Sequence, residues 1–172
     1  MRTKFIFLLG FILICAGCGS IINQSKVVLD KDTVMTLSRT VCYGTCPQYT
    51  VTINGQGEVM LAGSKMVRTD GNIVKQDLDT KRNTISRERL EQLVAEFNKI
   101  NYLSLNGNYK EQGTDCPSYA TDNPHAITSI TANGKTKTID HYLGCEGSAT
   151  LKDLTALERK IDETANTKDW LK

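Results

Sequence analysis

The stretch VCYGTCPQYTVTINGQGEVMLAG, residues 41–63, joins a covalent signature to a sheet signature. Tyr49, Val51 and Ile53 alternate with Gln48, Thr50 and Thr52, the period-two pattern of a strand with one buried face. Asn54-Gly55-Gln56-Gly57 is turn chemistry, and residues 58–63 read as the returning strand of a hairpin. Just upstream, Cys42 and Cys46 flank Gly44, and Pro47 leads into the strand. Gly44 tolerates positive φ, so the chain can double back between the two cysteines.

Working outward, residues 34–40 (VMTLSRT) predict an earlier strand. Residues 64–84 are polar, with an Asp70-Gly71 turn and a short strand expected only around 73–78. Residues 85–100 predict a helix: Ser86 caps it, Glu88 lies in its first turn, and Leu90, Leu93, Val94, Phe97 and Ile100 form one apolar stripe. Residues 105–125 read as loop, because Pro117 and Pro124 lack the N–H that a central strand needs. A second hairpin follows, 126–132 and 135–142, around the Asn133-Gly134 turn. Residues 149–165 predict a last helix with Leu151, Leu154, Leu157 and Ile161 inward, and the tail carrying Trp170 is expected to dock. The expected fold class is α+β: an antiparallel β-sheet of two hairpins plus an N-terminal strand, with two helices packed on one face.

The chain starts MRTKFIFLLGFILICAGCGS. Arg2 and Lys4 form a basic n-region, and residues 5–16 form an apolar h-region that is too short to cross a bilayer as a helix, which takes about 20 residues. Ala16-Gly17 before Cys18 resembles the lipobox of bacterial lipoproteins, with Cys15 where leucine is usual. The expected organisation is a lipoprotein signal peptide over 1–17, a tether over 18–32 lipidated at Cys18, palmitate being among the acyl groups, and a single domain over 33–172. Several acyl chains give stable membrane anchoring. Gly19 after the anchor cysteine lacks the aspartate of inner-membrane retention, so the expected location is the outer membrane, facing the periplasm. The whole chain holds 21 Lys and Arg against 19 Asp and Glu. Two of the basic residues fall in the leader, so the remainder is near neutral and presents no basic stripe for nucleic acid.

Four cysteines remain beyond the leader and anchor. In an exported protein an even count predicts disulfides. Of three possible pairings, Cys42–Cys46 with Cys116–Cys145 is favoured; the second would close a loop of about 30 residues, worth roughly 3–4 kcal/mol in the chain-entropy argument. The alternatives are weaker. Redox centres use two intervening residues rather than three. Zinc sites prefer paired CxxC spacing, although His125 and His141 could add ligands. A Cys145–His141 nucleophile pair would need a free thiol. No metal and no cofactor is expected.

Three segments together, SRTVCYGTCPQYTVTINGQGEV (38–59), ISRERLEQLVAEFNKINYLSL (85–105) and ITSITANGKTKTIDHYLG (127–144), resemble the uncharacterised bacterial family called domain of unknown function 6438, over roughly residues 34–162. The resemblance implies secreted or lipid-anchored envelope proteins and lends no catalytic residues. It also implies that Cys116–Cys145 is a lineage-specific second disulfide.

Candidate site residues are few. Asp140, His141 and Tyr142 end a strand beside Cys145, Asp115 and Asp122 lie in the long loop, and Tyr43 sits between the first cysteines. One reading gathers them into a binding rim held by the disulfides. The plainer reading makes His141 a strand-end residue and the aspartates turn formers. No catalytic set is assigned, since GxSxG, HExxH, P-loop and dinucleotide motifs are all missing from the sequence. The expected function is a lipid-anchored binding or accessory module with an envelope protein or cell-wall partner. The alternatives are an inhibitor of an envelope-attacking hydrolase, presenting 106–124 as a projecting loop, and a small hydrolase in which His141 and an aspartate converge in a pocket.

Overall fold

The computed structural model describes residues 26–172. The leader, Cys18 and the start of the tether therefore lie outside the described residues. The elements run β1 (Val34–Arg39), β2 (Gln48–Asn54), β3 (Glu58–Thr69), β4 (Asn72–Thr84), α1 (Arg87–Lys99), a 3-10 turn (Tyr102–Ser104), β5 (Asn108–Tyr109), β6 (Ser118–Tyr119), β7 (His125–Ala132), β8 (Lys135–Tyr142), β9 (Cys145–Glu146), α2 (Ala149–Ala165) and α3 (Thr167–Trp170). The fold is α+β. Seven strands form one sheet in the order β4-β3-β2-β1-β7-β8-β5, and β6 pairs with β9 in a separate ladder.

The alternating strands bury the predicted faces. Met35 and Leu37 of β1, Tyr49, Val51 and Ile53 of β2, Val59 and Leu61 of β3, and Ala126 and Ile130 of β7 are all buried. Leu90, Leu93, Val94 and Phe97 of α1 and Leu151, Leu154, Leu157 and Ile161 of α2 make the other half of this core. Each fully buried side chain of this size contributes about 1.5–3 kcal/mol of transfer free energy. The opposite sheet face is lined by hydroxyls that pair across strands: Thr36 with Ser129 at 2.6 Å and Ser38 with Thr50 at 2.9 Å. Ser86 and Ser148 cap the two long helices by accepting from Arg89 N and Leu151 N. The hairpin turn at Asn133-Gly134 has φ of 53° and 70°, the left-handed pair that a type I′ turn demands.

Three expectations are corrected. The sheet is more than two hairpins and a strand: it has seven strands, and β5 pairs in parallel with β8, Asn108 opposite Asp140 and Tyr109 opposite His141. The polar segment 64–84 is also paired apart from the Asp70-Gly71 turn and a bulge at Asp79 and Thr80, with β3 running to Thr69 and β4 spanning Asn72–Thr84. Beyond Ser64, which faces Gln48 of β2, this hairpin continues as a two-stranded ribbon with no third strand among the described residues. Nearly every β4 side chain is exposed, so no hydrophobic alternation marks it. Finally, the long loop 105–125 contains β5 and β6, each two residues long.

The described end of the tether is not free. Val27 is buried, and Asn98 of α1 exchanges two hydrogen bonds with its backbone, Val27 N to Oδ1 at 2.7 Å and Nδ2 to Val27 O at 3.0 Å. The chain thus enters where β1 starts. Trp170 docks as expected: its ring meets Tyr49 edge-on with centroids 6.2 Å apart, and its Nε1 donates to Asp79 O at 3.0 Å.

Phe97, fully buried, meets Tyr102 edge-on at 4.9 Å between α1 and the sheet. Phe97→Ala is expected to lower unfolding stability by about 3–5 kcal/mol in a urea titration.

Candidate functional site

The disulfides are Cys42–Cys46 and Cys116–Cys145, the favoured pairing. The second ties the long loop to β9, and the β6–β9 ladder continues that join, with Tyr119 opposite Cys145. Ala120 N donates to Gly144 O at 2.8 Å. A Cβ on Gly144 would collide with Ala120 O and the Tyr142 ring, so only glycine permits this approach.

On the open side of the sheet the pinned loop meets the ends of β7 and β8. His125 Nδ1 lies 2.6 Å from Asp140 Oδ1, and Lys110 Nζ lies 3.8 Å from Asp140 Oδ2. The His125 ring stands 5.1 Å from Tyr142, and Tyr142 stands 5.2 Å from Tyr119, giving a run of three rings. The Tyr142 hydroxyl donates to Ala120 O at 2.8 Å and accepts from Asn123 N at 3.1 Å, which fixes the loop over the strand end. His125 is stitched to the end of β1: its N donates to Thr40 Oγ1 and its O accepts from Thr40 N. The His125 side chain is 33% exposed and Asp140 27%, so the pair is reachable from solvent. Asp140 can orient the imidazole and hold a proton on Nδ1, an arrangement suited to hydrogen bonding with a ligand.

The expected rim is only partly assembled. Asp140 and Tyr142 belong to it, together with His125, which sequence reasoning weighed only as a zinc ligand. Tyr43 is 92% exposed in the loop closed by Cys42–Cys46, at the same end of the sheet. Asp115 instead accepts from Asn106 Nδ2 at 2.9 Å, and Asp122 occupies a left-handed turn at φ 64°. His141 is corrected from rim to core. It shares the helix-facing side of β8 with Ile139 and is 2% exposed, while its neighbour Asp140 faces the other way. The convergence of His141 with an aspartate that the hydrolase reading needs is therefore not present. Likewise the segment 106–124, offered as a projecting loop, is held down by β5, β6 and the disulfide.

His141 joins a second, enclosed cluster. Its Nδ1 lies 2.7 Å from Glu158 Oε1 of α2. Arg39, at the end of β1, donates from Nε and Nη2 to Asp162 Oδ2 at 3.0 and 2.8 Å, and its Nη1 stands 3.9 Å from Glu158 Oε2. The Tyr49 hydroxyl donates to Asp162 Oδ1 at 2.8 Å and accepts from Arg39 Nε at 3.1 Å, and Thr167 Oγ1 donates to Asp162 Oδ1 at 3.1 Å. Burial, helped by the Asp162 charge, pushes the Tyr49 hydroxyl up to about 12. For Arg39 burial acts downward, but Asp162 and Tyr49 outweigh it and the guanidinium stays charged. Burial raises Glu158 above the ordinary carboxyl value, with His141 and Arg39 opposing. No ligand can reach His141 or Glu158 in this packing, so the cluster is a structural clamp. Among the described residues no group of three or more His, Cys, Asp or Glu side chains is arranged to hold a metal ion.

The fold and the site define a disulfide-pinned α+β domain with one face of its sheet under helices and a polar-aromatic rim at one end. The chain belongs to the family described as Domain of unknown function (DUF6438), whose family model matches residues 33–165. No curated protein matches the chain.

The raised carboxyl predicts a pH effect. The folded state keeps a proton on Glu158 where the unfolded chain has released it, so this contribution is complete below the ordinary value of 4.5 and is lost as pH rises through the raised one. Urea titrations from pH 4 upward are expected to show the wild type losing stability relative to Glu158→Gln across that window.

Proposed function

We propose that this chain is a lipid-anchored protein of the cell envelope, held at Cys18 to the outer membrane on its periplasmic side, and that it docks a protein partner with the sheet end farthest from the anchor. One observation carries this reading. Among the described residues the large apolar side chains left exposed are Val28, Val41, Tyr43, Ile73, Val74 and Tyr119, and all but Val28 lie at one end of the sheet. The tether enters at the other end, beside Val27 and the β7–β8 turn, where Asn133 Nδ2 donates to Lys26 O. Exposed apolar and aromatic side chains gathered at one end of a domain favour that end as a protein interface. Disulfides on the two aromatic-bearing loops reduce the ordering cost of binding. The His125–Asp140 pair supplies a polar contact at the same end.

An inhibitor of an envelope-attacking hydrolase is a second reading with its own support. Tyr43, 92% exposed in a loop closed by a disulfide four residues long in sequence, has the form of a plug for an apolar pocket.

The test places a photo-crosslinking phenylalanine analogue at position 43, 119 or 28 of the full chain in an exporting bacterium, with an alkyne fatty acid in the medium. The expected result is fatty-acid label lost in Cys18→Ala, and protein adducts from positions 43 and 119 but not 28. Unlabelled wild-type chain would overturn the anchoring. Equal adducts from all three positions, or adducts to cell-wall glycan alone, would overturn the protein-docking end. An adduct to a hydrolase that the chain inhibits would select the second reading.

A further inference from the structure

The free edge of β4 is unusual for a native sheet. It runs for thirteen residues, Asn72–Thr84, and its outer side pairs with no strand among the described residues. Natural edges are normally kept short, since a long row of free N–H and C=O groups invites another strand. From Lys65 to Gln76 the β3–β4 ribbon has only two strands, and such a ribbon is marginal in water by itself. Ile73 and Val74 are exposed on it, at 43% and 47%.

The edge is closed at one end. Where β3 steps from Leu61 to Gly63, β4 steps from Lys81 to Leu78, so Asp79 and Thr80 bulge out of register. Trp170 Nε1 takes the carbonyl of Asp79 at 3.0 Å. Regular edge is left over residues 72–78.

We infer that this segment pairs with itself, joining two copies of the chain antiparallel through β4 about a two-fold axis at Gln76. A strand paired with its own copy about residue n sets n+k opposite n−k. Centred at Gln76, Lys75 faces the partner copy's Asp77 and Val74 faces its Leu78, each twice. Lys75 and Asp77 already lie 3.1 Å apart on one face of the ribbon, so the two copies build an alternating four-charge ladder there, with the apolar pairs on the other face. A centre at Val74 sets Lys75 opposite Ile73 and Asp77 opposite Gly71 and so forms neither charge pair, and the other neighbouring registers are penalised. Centres at Lys75 or Asp77 set like charges directly opposite, and a centre at Leu78 sets Lys75 against Lys81 and Asp77 against Asp79. Pairing turns a marginal two-stranded ribbon into a four-stranded one and joins both sheets into a single sheet. The inference is independent of the anchoring; it covers Val74 and leaves Val41, Tyr43 and Tyr119 for the partner proposed above.

Single cysteines placed on the purified chain test the register, because directly opposed Cα atoms in an antiparallel pair lie about 4.5–5.5 Å apart, within disulfide reach. Under mild oxidation Gln76→Cys is expected to give a covalent dimer of twice the chain mass, Leu78→Cys alone none, and a mixture of Val74→Cys with Leu78→Cys a crosslinked heterodimer. By light scattering Lys75→Asp is expected to lose the noncovalent dimer and Lys75→Asp/Asp77→Lys to regain it. All five positions lie on β4 and all but the half-buried Leu78 are exposed, so folding is not at stake. A monomeric mass with no Gln76→Cys crosslink, equal crosslinking of Gln76→Cys and Leu78→Cys, or failure of the charge swap to restore the dimer would overturn the inference.

Discussion

One arginine holds the sheet to its main helix. Arg39 ends β1 on the core side, and α2 lays Asp162 and Glu158 across it. Tyr49 from β2, His141 from β8 and Thr167 from the start of α3 complete the set. Three strands and the C-terminal helices thus converge on a few charged atoms under α2. Burying such a cluster brings little net stability compared with apolar packing, but removing one member leaves an uncompensated charge in the core. The cluster therefore acts more on register than on total stability: α2 can slide or rotate only by breaking it. The apolar layer of Leu, Ile, Val and Phe supplies the driving force and would tolerate small shifts that the Arg39 geometry forbids.

The same clamp separates the two ends of the molecule in character. At the end where the chain enters, tight turns and Asn98 hold short connections against the sheet. At the other end the connections are longer and carry the two disulfides. The Cys42–Cys46 loop follows directly from Arg39, and the loop bearing Tyr119 is fastened to β9 just ahead of α2. Cys116–Cys145 is itself buried and carries the core out to the long loop, while Cys42–Cys46 closes a loop at the surface. The sheet faces divide in the same way: alternate residues of β8 send His141 into the clamp and Asp140 toward the His125 pair, so one strand serves stability on one side and the exposed rim on the other.

Much of this was legible in the residues. Period-two alternation located β2, β3, β7 and β8, and the stripes and serine caps located α1 and α2, because those segments bury one face only. Only the 73–78 part of β4 was legible, and its full length was hidden for the opposite reason: with almost every side chain in water, no pattern distinguishes the rest from loop. The two-residue strands β5, β6 and β9 were hidden because pairing that short is imposed by the disulfide and by neighbouring strands. Within the site, the signal for His125 was available. The two-residue turn at Asn133-Gly134 fixes the hairpin register, and counting outward sets His125 opposite Tyr142 and diagonal to Asp140. The same alternation that made Ile139 a core residue put His141 beside it. The Arg39–Asp162 contact spans 123 residues and has no local signature at all.

The claim that the clamp fixes α2 on the sheet is tested most directly by a double-mutant cycle of Arg39→Met and Asp162→Asn, read as urea unfolding free energies at neutral pH. The account predicts a coupling of about 0.5–3 kcal/mol, the range found for residues in one hydrogen-bond or salt-bridge network. Additivity within about 0.5 kcal/mol would contradict it and would leave apolar packing as the sole determinant of where α2 sits.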